Sequence, residues 1–110
     1  EKLEIDNKTT VISFHALEQL GTGYDKLLDS LQKSKAICVH LEPIIEFYDP
    51  KILIDKLSIN YHRKRNYLDG YLTDIEKLCN QGKAKIIQQK RIGFGDRYHE
   101  AYSLLVWRGV

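Results

Sequence analysis

Residues 11–21, Val11-Ile12-Ser13-Phe14-His15-Ala16-Leu17-Glu18-Gln19-Leu20-Gly21, decide the fold. The run 9–14 (TTVISF) is dominated by β-branched and aromatic residues. That predicts a strand apolar enough to be buried on both faces. Ala16 to Leu20 then reads as helix, until Gly21-Thr22-Gly23 interrupts it. His15 stands at the join. In open α/β sheets ligands collect outside the carboxyl ends of the parallel strands, which is where this histidine falls.

Working outward, Tyr24, Leu27, Leu28 and Leu31 recur at helical spacing within Tyr24 to Lys33, predicting an amphipathic helix. Residues 36–41 (AICVHL) form a second buried-type strand, ended by Glu42-Pro43. Asp49-Pro50 predicts a helix start, with the acid as N-cap and proline at the first helical position. Ile54, Leu57 and Tyr61 follow on one face. The pattern hesitates over 66–70 and resumes through Leu68, Leu72, Ile75, Leu78 and Cys79, with Gly82 as a C-terminal stop. The stretches 83–94 (KAKIIQQKRIGF) and 101–108 (AYSLLVWR) read as strands, joined through Gly95 to His99 into an antiparallel pair. The order is strand, helix, strand, helix, helix, strand, strand. It predicts one α/β domain over residues 1–110, with an open, mostly parallel sheet, helices packed on it and a C-terminal antiparallel strand pair.

Composition narrows the function classes. An apolar fraction of 43% and a charged fraction of 29% are ordinary for a globular chain, and a net charge of +2 does not by itself imply a nucleic-acid partner. Cys38 and Cys79 both fall at apolar positions and read as small buried hydrophobes, too few for a disulfide framework. A cytoplasmic protein is expected. No apolar run approaches the roughly 20 residues that cross a bilayer, so no membrane partner is expected. Glu1 to Asn7 already reads like the middle of a domain, which suggests a fragment.

If the first two strands are neighbours, His15, His40 and Glu42 converge on one rim. These are the residue types of a two-histidine, one-carboxylate metal set, but nothing in their spacing demands a metal and none is expected. The plainer alternative makes His15 a strand cap and His40 a buried, hydrogen-bonded side chain. Tyr61-His62-Arg63-Lys64-Arg65-Asn66-Tyr67 is the densest polar-aromatic cluster. It suits an anionic or sugar-like acceptor, an RNA surface, or simply a solvated helix end whose cations meet the helix dipole. Gly93-Phe94-Gly95 is read as a turn.

TTVISFHALEQLG followed by an amphipathic helix resembles the fourth-strand region of S-adenosylmethionine-dependent Rossmann-like methyltransferases. In the same order, KAICVHLEP resembles the family's fifth strand, and Asp49 to Tyr67 its substrate-side insertion. Tyr67 to Gln81 resembles its fifth major helix, and the last pair, ending in SLLVWRG, its sixth and seventh strands. Gln19 stands where the family often has histidine. No glycine-rich phrase precedes residue 9, and the acidic residue that holds the cofactor ribose is absent. The resemblance is therefore to the C-terminal, acceptor-side half.

That resemblance implies a strand order of 3-2-1-4-5-7-6 in the whole domain. A bare edge at residues 9–14 would then pair with the missing N-terminal half or with another copy. It implies S-adenosylmethionine as cofactor of the intact domain, beside Ser13, Phe14 and His15. His40, then Glu42, are the candidate bases at the mouth. Tyr61, His62, Arg65, Asn66 and Tyr67 would face a small-molecule or biosynthetic-intermediate acceptor. The fragment alone would be inactive. The competing expectation is a non-catalytic α/β module docking on a protein partner or RNA.

Overall fold

The computed structural model describes residues 5–14, 16–17, 20–91 and 103–110. Strand β1 spans Thr10–Phe14, helix α1 Asp25–Ser34, and strand β2 Ile37–Glu42. A 3-10 turn, Ile45–Phe47, leads to helix α2, Leu53–Lys64, and helix α3, Tyr71–Asn80. Strands β3, Ala84–Arg91, and β4, Ser103–Gly109, complete the chain. His15, the Gly95 to His99 connection, the Gly93-Phe94-Gly95 turn and the outer ends of the two predicted late strands lie outside the described residues.

The sheet order is β1-β2-β4-β3. β1 and β2 pair in parallel, while β4 pairs antiparallel with both β2 and β3. The expectation of a mostly parallel sheet is therefore corrected to a mixed one. The hairpin from β3 returns β4 into the slot beside β2, so the reversed strand takes two of the three ladders. β1, β2 and β3 still point the same way.

Strand alternation puts Val11, Ser13, Cys38, His40, Glu42, Ser103, Leu105 and Trp107 on the inner face. The core forms where α1 and α3 lie on that face, around Trp107, Tyr71, Leu31, Ile75 and Leu105. α1 buries Leu28 and Leu31, with Tyr24 just before it, while Leu27 turns outward. At Gly109 the β4 backbone runs against α1, and a Cβ there would stand 1.9 Å from the Gln32 carbonyl oxygen. α3 ends in a left-handed residue, Gly82 at φ +74. The Gly82 N–H bonds the Cys79 carbonyl at 3.0 Å and the Lys83 N–H bonds that of Leu78 at 2.8 Å. Those two bonds satisfy carbonyls that the helix end would leave open.

α2 departs from expectation twice. Asp49-Pro50 does not start the helix. The Asp49 carboxylate accepts the Lys51 N–H at 2.9 Å in a turn of its own, and α2 begins at Leu53. The Ile54, Leu57 and Tyr61 stripe exists, but the face that packs inward is Asp55, Ser58 and His62. α2 thus shows its aliphatic side to solvent and its polar side to the protein.

Candidate functional site

The site is built on the row where Ser13 of β1, His40 of β2 and Leu105 of β4 lie in register. His40 is buried beneath α3, and its ring meets three side chains. Nδ1 lies 2.7 Å from Ser13 Oγ. Nε2 lies 3.0 Å from both Trp107 Nε1 and Tyr71 Oη. An indole N–H can only donate, so Nε2 accepts and the ring proton resides on Nδ1, which donates to Ser13. Burial drives the imidazole pKa down to about 4, keeping the ring neutral. In this arrangement neither nitrogen has a lone pair free for an incoming proton.

The cluster continues outward. Tyr71 meets Tyr24 edge-on, with ring centroids 5.2 Å apart, and Tyr24 Oη donates to Asp74 Oδ2 at 2.6 Å. Burial raises the pKa of both phenols, and for Tyr24 the Asp74 carboxylate adds to the effect. Cys38, one row below His40 on the same face, is pushed up to about 11 by burial, so it stays a protonated hydrophobe as expected. Polar side chains from α3 and three strands therefore meet at one imidazole, and Tyr24, just before α1, joins them through Tyr71.

Glu42 closes the carboxyl end of β2. Its carboxylate is buried and accepts the Ala16 N–H at 3.0 Å and the Leu17 N–H at 3.1 Å, clamping the chain that leaves β1. Ser103 lies opposite Glu42 in the ladder, its hydroxyl buried with no hydrogen-bond partner among the described residues. His40 and Glu42 thus share the predicted rim, but both turn into the protein. Ser13 and Phe14 fall on opposite faces of the sheet, Ser13 towards His40 and Phe14 towards the open side. His15 lies outside the described residues. Among those residues no group of three or more histidine, cysteine, aspartate or glutamate side chains could hold a metal ion.

The 61–67 cluster does assemble. The Tyr61 and Tyr67 rings lie 6.3 Å apart, the Arg65 guanidinium sits 5.3 Å over Tyr61, and His62 packs edge-on against Tyr67 at 5.3 Å. His62 itself points inward, donating from Nε2 to the Leu68 carbonyl at 2.6 Å. Asn66 adopts a left-handed φ of 56, turning the chain towards α3. There the Asp69 N–H bonds the Gly21 carbonyl at 3.0 Å, and a cleft of about 100 Å³ opens between Gly21, Arg63, Asn66 and Asp69.

A larger groove, about 360 Å³, lies just past β2, between the 3-10 turn and α2. It is lined by Ile45, Glu46, Tyr48, Lys56, Asn60 and Arg63, mixing an apolar floor with charges of both signs. Its wall is braced by Asp55. That buried carboxylate takes Arg91 in a two-pronged pair, at 2.5 and 2.7 Å, and the Asp49 N–H at 2.9 Å. Arg91 stacks 4.7 Å over Tyr48 and holds the Asp55 carboxyl below its ordinary range. Of these groove residues the sequence singled out only Arg63, as part of the 61–67 cluster. The one signal was a lone acid, Asp55, in an otherwise basic segment, and its partner lies 36 residues on.

A scan against protein-family models found no match, and searches of the curated proteins and of the solved structures found none either.

Proposed function

We propose that this chain is the acceptor-side half of an S-adenosylmethionine-dependent methyltransferase domain of Rossmann-like fold. The observation that carries the reading is topological. The order β1-β2-β4-β3, with β4 reversed between β2 and β3, follows the 4-5-7-6 end of the strand order that the resemblance implies. The connections through α1 and α3 lie on one face, leaving the β1 edge for a continuing sheet and the other face for a covering layer. The groove past β2 lies where an acceptor would enter, at the carboxyl end of a parallel strand. Glu46, Lys56, Asn60 and Arg63 suit a small polar acceptor carrying charge.

Methyl transfer is an in-line displacement. A lone pair of the acceptor forms the new bond to the methyl carbon, the carbon–sulfur bond breaks, and its electrons neutralise the sulfonium. The protein's task is alignment. On this reading His40, Ser13, Tyr71 and Trp107 hold β1 and β2 in register beneath the reacting groups, and Glu42 holds the turn beside the cofactor. The two free thiols, Cys38 and Cys79, fit a reducing compartment.

Photo-crosslinking with tritiated S-adenosylmethionine tests the reading. The chain joined to its natural upstream reading frame should capture label, and the 110-residue chain alone should not. An upstream frame without a strand and glycine-rich turn, or tight cofactor binding by the chain alone, overturns it. The second reading, a docking module, is favoured by the aliphatic side chains that the open sheet face and α2 expose, Ile12 and Leu53 among them. A natural start close to Glu1 would favour it.

A further inference from the structure

We infer that α2 is a docking helix for an anionic lipid surface, which it meets side-on through Leu53, Ile54 and Leu57. No described helix is long and apolar enough to cross a membrane, but a helix can lie in the interface without crossing it. The inference does not depend on the methyltransferase reading.

The orientation of α2 is the first observation. In a helix that only supports its own domain, the aliphatic stripe faces the core. Here Asp55, Ser58 and His62 face the core, and Leu53, Ile54 and Leu57 are 71%, 52% and 54% exposed. Ile52, just before the helix, is exposed as well. At 3.6 residues per turn Leu53, Leu57 and Ile54 cover an arc of about 100°. The inward face is held by bonds that specify the orientation: Asp55 to Arg91, and His62 to the Leu68 carbonyl. The outward aliphatics are therefore fixed in place.

Charge supplies the second observation and chooses the occupant. From Pro50 to Arg65 the cations Lys51, Lys56, Lys64 and Arg65 are exposed and Arg63 pairs with Asp69 at 3.5 Å, while the one acid of the stretch, Asp55, is buried under Arg91. A second copy would bring two such cationic sets together and repel. A nucleic acid would match the cations but leave the aliphatic arc in water. An anionic bilayer surface matches both, taking the aliphatics below the headgroups and the lysine and arginine side chains among them.

Co-sedimentation of the full chain with vesicles tests this. Binding should be at least about tenfold stronger to phosphatidylcholine containing phosphatidylserine than to phosphatidylcholine alone, and should weaken as salt rises. The double variant Leu53→Ser/Leu57→Ser should lose about tenfold or more in affinity. Lys51→Gln/Lys64→Gln should lose about 25-fold on the anionic vesicles only, roughly fivefold per cation. All four positions are exposed, so the thermal melts should stay unchanged. Absence of binding to anionic vesicles at low salt overturns the inference, as does binding that the leucine variant leaves intact. Binding to polyuridylate without binding to vesicles overturns it too. So does self-association that disappears in the leucine variant, which would make a second copy the occupant.

Discussion

His40 shows how one buried side chain can tie three strands and a helix together. Trp107 can only donate, so the indole dictates the imidazole tautomer, and the imidazole in turn dictates what Ser13 receives. Because burial lowers the His40 pKa from 6.5 to about 4, the unfolded chain binds a proton more readily than the folded one between those values. Stability contributed by the neutral ring is thus complete above pH 6.5 and is lost as pH falls towards 4. The total is on the order of 3 kcal/mol. Urea unfolding followed across that range should show the slope, and His40→Leu should flatten it. An unchanged slope in the variant would assign the acid sensitivity to other groups. In the sequence His40 was legible as a rim residue, since AICVHL ends at a predictable strand terminus. Its three partners were not, because they come from positions 27, 31 and 67 residues away in the chain.

At the level of elements, contact between α1 and β4 depends on a missing side chain. Gly109→Ala would drive a Cβ into the Gln32 backbone, where no side-chain rotation relieves the clash. The expected cost is about 3 kcal/mol, read as a lower midpoint in urea with the denaturant slope unchanged. A variant as stable as the parent would mean that α1 can slide on the sheet. α2 teaches the complementary lesson. Its periodicity was readable from Ile54, Leu57 and Tyr61, but periodicity gives a stripe and not a direction. The direction followed from Asp55 finding Arg91 on β3, a pairing that only the assembled chain offers.

For the molecule as a whole, the consequential feature is the outer face of the sheet. Two rows cross it in register, Ile12-Val39-Val106 and Phe14-Leu41-Leu104, ending on β3 at Gln88 and Lys90. The face is apolar towards the β1 edge and polar at the far edge. That gradient matches a sheet continued or covered on the β1 side, and Ile12, 70% exposed, is the position at which association is tested. In sedimentation velocity the isolated chain should show species heavier than a monomer. Ile12→Lys should shift it towards monomer while changing unfolding free energy by less than about 0.5 kcal/mol. A parent chain that stays monomeric at all concentrations would rule this out.

Read alone, the order of residues was enough to determine the succession of strands and helices, the buried thiol at Cys38 and the antiparallel ending. These depend on periodicity and on local stop signals such as Gly82, which act within a few residues. Tertiary structure decided that the sheet is mixed, with β4 antiparallel to both of its neighbours. It also turned Glu42 and His40 inward and faced α2's aliphatics outward. Each of those outcomes balances hydrogen bonds between groups far apart in the chain against apolar burial, and local sequence pattern carries no record of that balance.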